Sequence, residues 1–213
     1  MNERDPLSLD FSDPAGAFTP TRREFLESMG GGILVLVTLG VPVPPQRQGR
    51  GAGPGGSSDF NAFLRIAEDG RVTCFTGKIE MGQGICTSLA QMLADELNTP
   101  LETVEMVMGD TDRCPWDMGT FGSLSIRVFG VALRSAAAEA RAVLLDLAAE
   151  RLGVPIERLE AKDGSIFDAE APDRTISYGE LTHGRKITRV LEREFEIETA
   201  AEHTIVGVSV PRS

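Results

Sequence analysis

The sequence predicts an α+β fold built from β-hairpins, a short mixed sheet and two packed helices. Two Asp-Gly pairs, Asp69-Gly70 and Asp163-Gly164, each sit between short strand-like runs, the pattern of a tight hairpin. Two longer stretches, beginning near Ile85 and Ser123, carry apolar residues at the three- and four-residue spacing of a helix buried along one face. The resulting order of two strands, loop, helix, strand, loop, helix and hairpin makes a compact α+β unit.

The first 58 residues read differently. Residues 21–27 run Thr-Arg-Arg-Glu-Phe-Leu-Glu and precede an apolar, glycine-rich run from Gly30 to Val43. Paired arginines ahead of a short, mildly hydrophobic stretch mark a twin-arginine export signal. At about 14 residues the run falls short of the ~20 needed for an easy membrane span. A buried helix is the competing reading, but Gly30, Gly31 and Gly32 would be costly inside one. The expected division is a signal region over 1–43, a flexible Pro/Gly-rich linker over 44–58, and a folded part over 59–213. No clean small-x-small cleavage site follows the run, so the expected location is the periplasm or the periplasmic face of the membrane.

Within the folded part, 60–67 and 71–77 form the first hairpin around Glu68-Asp69-Gly70. A loop over 78–84 leads into a helix from Ile85 to Leu97, where Ile85, Leu89, Leu93 and Leu97 recur every fourth residue. Asn98 and Pro100 end it. Residues 104–108 make a short strand, and 109–121 a loop dense in Gly, Asp, Pro and Thr. A long helix follows from Ser123 to Leu152, with Phe129, Leu133, Ala136, Ala140, Val143 and Leu147 on its buried face. Gly153 and Pro155 supply the stop. The second hairpin covers 159–168, and the charged tail over 183–202 shows only weak patterning.

Composition narrows the function. An apolar fraction of 41% suits a packed core. A net charge of -11, with no basic run, argues against a nucleic-acid surface. Cys74, Cys86 and Cys114 have no C-x-x-C spacing, so they read as no disulfide framework, although one pair remains open. His183 and His203 are the only histidines, and no spacing suggests a protein-ligated zinc.

Two loops remain as candidate chemistry. Met81-Gly82-Gln83-Gly84 lies between a strand and a helix N-terminus, where unpaired N–H groups and the helix dipole would favour an anion. Gly82 and Gly84 would let a ligand touch bare backbone. Gln83 can donate and accept, and Thr87 and Ser88 add hydroxyls. Gly119-Thr120-Phe121-Gly122-Ser123-Leu124-Ser125 repeats the arrangement ahead of the second helix. Neither loop is a Walker loop, and Thr87 stands where G-x-G-x-x-G would need its third glycine. Ordinary nucleotide binding is disfavoured; one ligand shared between the loops is the better expectation.

Lys78 to Gly84 with Thr87-Ser88-Leu89-Ala90-Gln91, then Ala94-Asp95-Glu96-Leu97, Gly109-Asp110-Thr111-Asp112 and Gly119 to Ser125, resembles the molybdopterin-binding large subunit of the xanthine dehydrogenase/aldehyde oxidase family. The nearest likeness is to its isoquinoline 1-oxidoreductase beta-subunit type. The resemblance implies part of a molybdenum-cofactor-binding domain, with molybdenum–molybdopterin as cofactor, the cytosine dinucleotide form among the options. It gives Gly82, Gln83 and Gly84, then Thr120, Phe121, Gly122, Ser123 and Ser125, the role of cofactor contacts, and leaves metal ligation to the pterin dithiolene. It further implies as partners the remainder of the large subunit, a small subunit with a 2Fe–2S cluster, and a cytochrome c as electron acceptor.

The resemblance places the family's catalytic base, a glutamate in a Gly-Glu motif, near the end of a much longer subunit. No catalytic residue is therefore expected in this segment, and Glu80 belongs to the cofactor loop. The leading expectation is an N-terminal fragment of a molybdenum hydroxylase large subunit, an oxidoreductase acting on an N-heteroaromatic or aldehyde and inactive alone. The alternative is an exported module that keeps the fold without the chemistry.

Overall fold

A computed structural model describes residues 32–38, 60–115, 117, 119–190 and 197–211. Its first strand, β1 (Gly32–Thr38), is followed by β2 (Phe60–Ile66) and β3 (Val72–Thr76), then helix α1 (Ile85–Glu96) and β4 (Val104–Met108). A π-helical turn, Ser125–Gly130, opens the long helix α2 (Val131–Leu152). Strands β5 (Leu159–Lys162), β6 (Ser165–Asp168) and β7 (Ala171–Ser177), a short helix α3 (Tyr178–Thr182) and β8 (Lys186–Val190) complete the order.

Two sheets result. The larger runs β4-β3-β2-β1-β8 and is mixed: β1 to β2 and β2 to β3 are antiparallel, while β3 to β4 and β1 to β8 are parallel. The smaller is the antiparallel set β5-β6-β7. This is the expected α+β fold with hairpins, a mixed sheet and two packed helices.

The hairpin of β2 and β3 turns where Gly70 takes φ 81°, a conformation glycine adopts without a steric penalty. Helix α1 lies against β4 and α2 against β1. Their stripes meet the sheet in one core: Leu64, Ile66, Val72 and Cys74 from the strands, Leu89, Leu93 and Leu97 from the first helical stretch, Leu133, Ala137 and Leu144 from the second. Small residues on α2 let the helices close. Gly130 lies so near α1 that a Cβ there would sit 2.7 Å from the end of Met92.

Three features depart from the sequence reading. The run expected as the apolar part of an export signal contributes β1, with Ile33 and Val35 fully buried. Gly32 needs its missing side chain, since a Cβ would fall 2.1 Å from the Ile66 carbonyl oxygen. The expected boundary at residue 59 thus leaves outside the folded part a strand that lies inside the sheet; the paired arginines and the 44–58 linker fall outside the described residues. The long helix begins not as α-helix at Ser123 but with the π turn at Ser125. Finally, the weakly patterned tail supplies edge strand β8, whose partner β1 lies at the other end of the sequence.

Candidate functional site

The two glycine loops meet at the ends of β3 and β4. β3 delivers Gly77 and Lys78 to the start of the first loop, and the segment after β4 brings Asp117, Gly119 and Thr120 alongside. Lys78 is buried, 5% exposed, with its Nζ donating to Asp117 Oδ1 at 2.8 Å and to the Gly119 carbonyl at 2.9 Å. Asp117 Oδ1 also accepts the Gly119 N–H at 2.8 Å. One residue on, the Ile79 N–H donates to Thr120 Oγ1 at 2.8 Å. Gly77 permits the approach, since a Cβ there would fall 2.5 Å from Asp117 Cβ and 2.8 Å from the Pro115 carbonyl oxygen. The Lys78 ammonium also lies 5.8 Å from the ring centre of Phe129 on the π turn. Both loops and the start of the long helix are therefore tied at one point.

Inside the first loop, Glu80 overturns the expectation of open donors at the α1 N-terminus. Its Oε1 accepts the N–H groups of Gly82 at 2.7 Å and Gly84 at 3.0 Å, and its Oε2 that of Cys86 at 2.9 Å. The chain's own carboxylate fills the place foreseen for a ligand's anion. The N–H of Cys86 foremost, then that of Gly84, hold Glu80 below its ordinary carboxyl range despite partial desolvation. A carboxylate so satisfied is a poor proton acceptor near neutral pH. Gln83 is likewise engaged within the loop, accepting the Met81 N–H at 2.6 Å through Oε1 and donating to the Ile79 carbonyl at 2.9 Å.

What faces outward is bare backbone and apolar side chain. Gly82 takes φ 93°, and a Cβ on it would meet no atom within 4 Å. Met81 is 69% exposed and Phe121 52%, with Ile79, Ile126 and Val128 exposed nearby in sequence. In the second loop Gly119 takes φ 126°, Gly122 φ 64° and Ser123 φ 55°. Ser123 pays a steric cost for that conformation that the two glycines do not. The residue that caps this π turn is Leu124, whose side chain makes no capping hydrogen bond.

Of the residues expected to contact a cofactor, Gly82, Gly84, Phe121, Gly122 and Ser123 lie along these two loops. Thr120 lends its oxygen to the clasp, and Ser125 is buried at the first position of the π turn. The sequence reading missed Lys78 and Asp117. The Gly77-Lys78 step at a strand end was visible, but no local pattern could reveal a partner 39 residues away.

A second polar network lies at the C-terminal end of α1, around Asp95 and Glu96. Asp95 accepts from the backbone of Thr204 at 2.8 Å, Ile205 at 2.9 Å and Val206 at 2.6 Å. Buried Glu96 pairs with Arg134 at 3.0 Å and Arg141 at 3.3 Å on α2. Burial pushes Glu96 upward, against the Glu198 N–H and both guanidiniums. The tail is therefore held to α1 through 204–206 and to α2 through Glu198, whose carboxylate accepts from Arg141.

The only Gly-Glu pair in the chain, Gly179-Glu180, serves helix α3. Glu180 and Ser177 form a reciprocal cap, with Glu180 Oε2 accepting the Ser177 N–H at 2.9 Å. All three cysteines are free. Among the described residues no three His, Cys, Asp or Glu side chains converge as a metal site.

Two glycine loops, clasped to each other ahead of two helices, mark the site of this α+β domain. The family profile described as molybdopterin cofactor-binding domain matches residues 22–205, and the chain belongs to that family, of the xanthine dehydrogenase type. It is 34% identical over 194 residues to a nicotinate dehydrogenase polypeptide of Pseudomonas putida, covering 91% of this chain and 16% of that protein. It is 34% identical over 128 residues to the beta chain of isoquinoline 1-oxidoreductase from Brevundimonas diminuta, 57% of this chain and 16% of the relative. Among solved structures, CO dehydrogenase from Oligotropha carboxidovorans superposes with a TM-score of 0.50 at 32% identity, over 55% of this chain and 15% of that one. The chain spans about a sixth of the length of these relatives.

Proposed function

We propose that this chain supplies one wall of the molybdopterin pocket in a molybdenum hydroxylase large subunit, as its N-terminal part. The observation that carries this reading is the clasp, which brings the two loops side by side and turns bare glycine backbone outward. A flat ligand fits such a wall: nothing stands within 4 Å of the place a Cβ would take on Gly82, and Met81 and Phe121 are exposed on the two loops beside it. Bound there, the cofactor would supply the redox-active metal. This chain would position it through Gly82, Gln83, Gly84, Thr120, Phe121, Gly122, Ser123 and Ser125, with Glu80 holding the first loop in shape.

The reaction proposed for the complete assembly is oxidative hydroxylation of an N-heteroaromatic or oxidation of an aldehyde. The names of the relatives, nicotinate dehydrogenase and isoquinoline 1-oxidoreductase, support the first. The remainder of the large subunit would complete the pocket, a 2Fe–2S small subunit would receive electrons, and a cytochrome c would take them onward. The cytosine dinucleotide form of the cofactor and export through the twin-arginine route, to the periplasm or its membrane face, complete the proposal. Metal and pterin analysis of the chain purified with the polypeptides that accompany it tests the reading. Stoichiometric molybdenum and pterin are expected. Their absence from an intact assembly favours instead an exported module that keeps the fold alone.

A further inference from the structure

We propose that Lys78 and Asp117 are a positioning pair that sets the separation of the two cofactor loops, so that molybdopterin retention depends on their bond geometry beyond its effect on stability. This rests on the reading of the loops as the cofactor wall. Neither residue faces outward to touch a ligand: the Lys78 side chain is 7% exposed and that of Asp117 1%.

The pair is poorly explained as a source of stability. Taking both charges out of water costs about as much as their attraction returns, and an apolar pair of similar size often serves as well. Asp117 Oδ2 is moreover buried with no hydrogen-bond partner among the described residues, a cost an apolar pair would not carry. What an apolar pair cannot supply is direction. The ammonium holds Asp117 Oδ1 and the Gly119 carbonyl at fixed distances, and Asp117 Oδ1 holds the Gly119 N–H in turn. The position of Gly119 is thereby set from both of its backbone groups.

The consequences reach both loops within two residues. Ile79, next to Lys78, carries the bond to Thr120, next to Gly119. Glu80 follows Ile79 and organises Gly82 to Cys86. A ligand that spans the loops needs them at one separation, because a shift of either loop costs it contacts that were in place before binding. A directional, buried link with little net stabilisation is suited to that task.

Three variants test the pair in the chain purified with its accompanying polypeptides. Lys78→Met is expected to lower both thermal stability and pterin content, the latter about tenfold, the change that each ~1.4 kcal/mol of lost binding produces. The double variant Lys78→Met/Asp117→Leu leaves no buried charge unpaired and is expected to regain stability toward wild type, with pterin content still low. Asp117→Asn keeps the acceptor oxygen while removing the charge. It is expected to retain pterin within about twofold of wild type well below its unfolding temperature.

Pterin recovered in the double variant together with its stability overturns the proposal. If the double variant does not fold, Asp117→Asn decides: a pterin loss as large as that of Lys78→Met overturns it, and retention supports it. Wild-type assembly without pterin overturns the cofactor reading and this inference together, whereas pterin-loaded wild type and double variant sink the inference alone.

Discussion

The carboxylate of Glu80 accepts the N–H of Gly84 at 3.0 Å, closing the first loop back on itself across four residues. With Gly82 and Cys86 also donating to it, the loop carries its own anion at the start of α1. The helix dipole adds to that attraction.

Glu80→Ala therefore frees three N–H groups, and faster hydrogen exchange at Gly82, Gly84 and Cys86 is the expected result. The pH sign follows from the lowered value of Glu80 in the fold, set first by the Cys86 N–H. Its contribution is complete above the ordinary glutamate range and is lost as pH falls through the depressed folded value. Thermal stability measured against pH should show this acid limb in wild type and lose that part of it in Glu80→Gln.

The tail strap should respond to acid as well. Burial works to raise Asp95, but the N–H groups of Val206, Thr204 and Ile205 outweigh it and lower the carboxyl. Strapping is thus full above the ordinary aspartate range and released as pH drops through the folded value. Exchange at the amides of 204–206 is the measurement, and Asp95→Asn should show the released behaviour already at neutral pH.

Much of this architecture is legible in the sequence, and the reasons differ by element. Asp69-Gly70 marks the first hairpin because the turn is local. The stripe from Ile85 to Leu97 marks α1 because helical spacing survives any context. β1 is ambiguous, since a short apolar run reads equally as a signal's core or as a strand buried on both faces. β8 pairs with a strand at the far end of the chain, which no local pattern encodes. At the site, the glycines are visible, whereas the Lys78–Asp117 clasp and the capping by Glu80 exist only once the loops have folded.

Two glycines separate close approach to backbone from close approach to a flexible side chain. Gly77→Ala would push its methyl against Asp117 Cβ and the Pro115 carbonyl, with an expected loss of about 2–3 kcal/mol by overpacking. Gly130→Ala meets only the tip of Met92, which can rotate away, and helix propensity returns up to ~1 kcal/mol. Denaturant midpoints of the two variants should differ accordingly, with Gly130→Ala close to wild type.

Truncation through Thr38 removes a strand with partners on both sides. Ile33, Leu34 and Val35 alone withdraw buried surface worth about 5 kcal/mol, comparable to the whole stability of an ordinary domain. Loss of a cooperative thermal transition is expected. N-terminal sequencing of the mature protein should accordingly find residues 32–38 still attached, and a mature start beyond Thr38 would contradict the sheet.

The same strand governs when folding can finish. β1 leaves the ribosome ahead of its two partners, and β2 can cover one of its edges soon afterwards. Its other edge waits for Lys186 to Val190, synthesised about 150 residues later. Through that interval a nascent chain exposes an apolar strand edge of the kind that recruits other chains. Translation pausing or premature termination before Lys186 should therefore yield aggregates rather than a soluble, smaller domain.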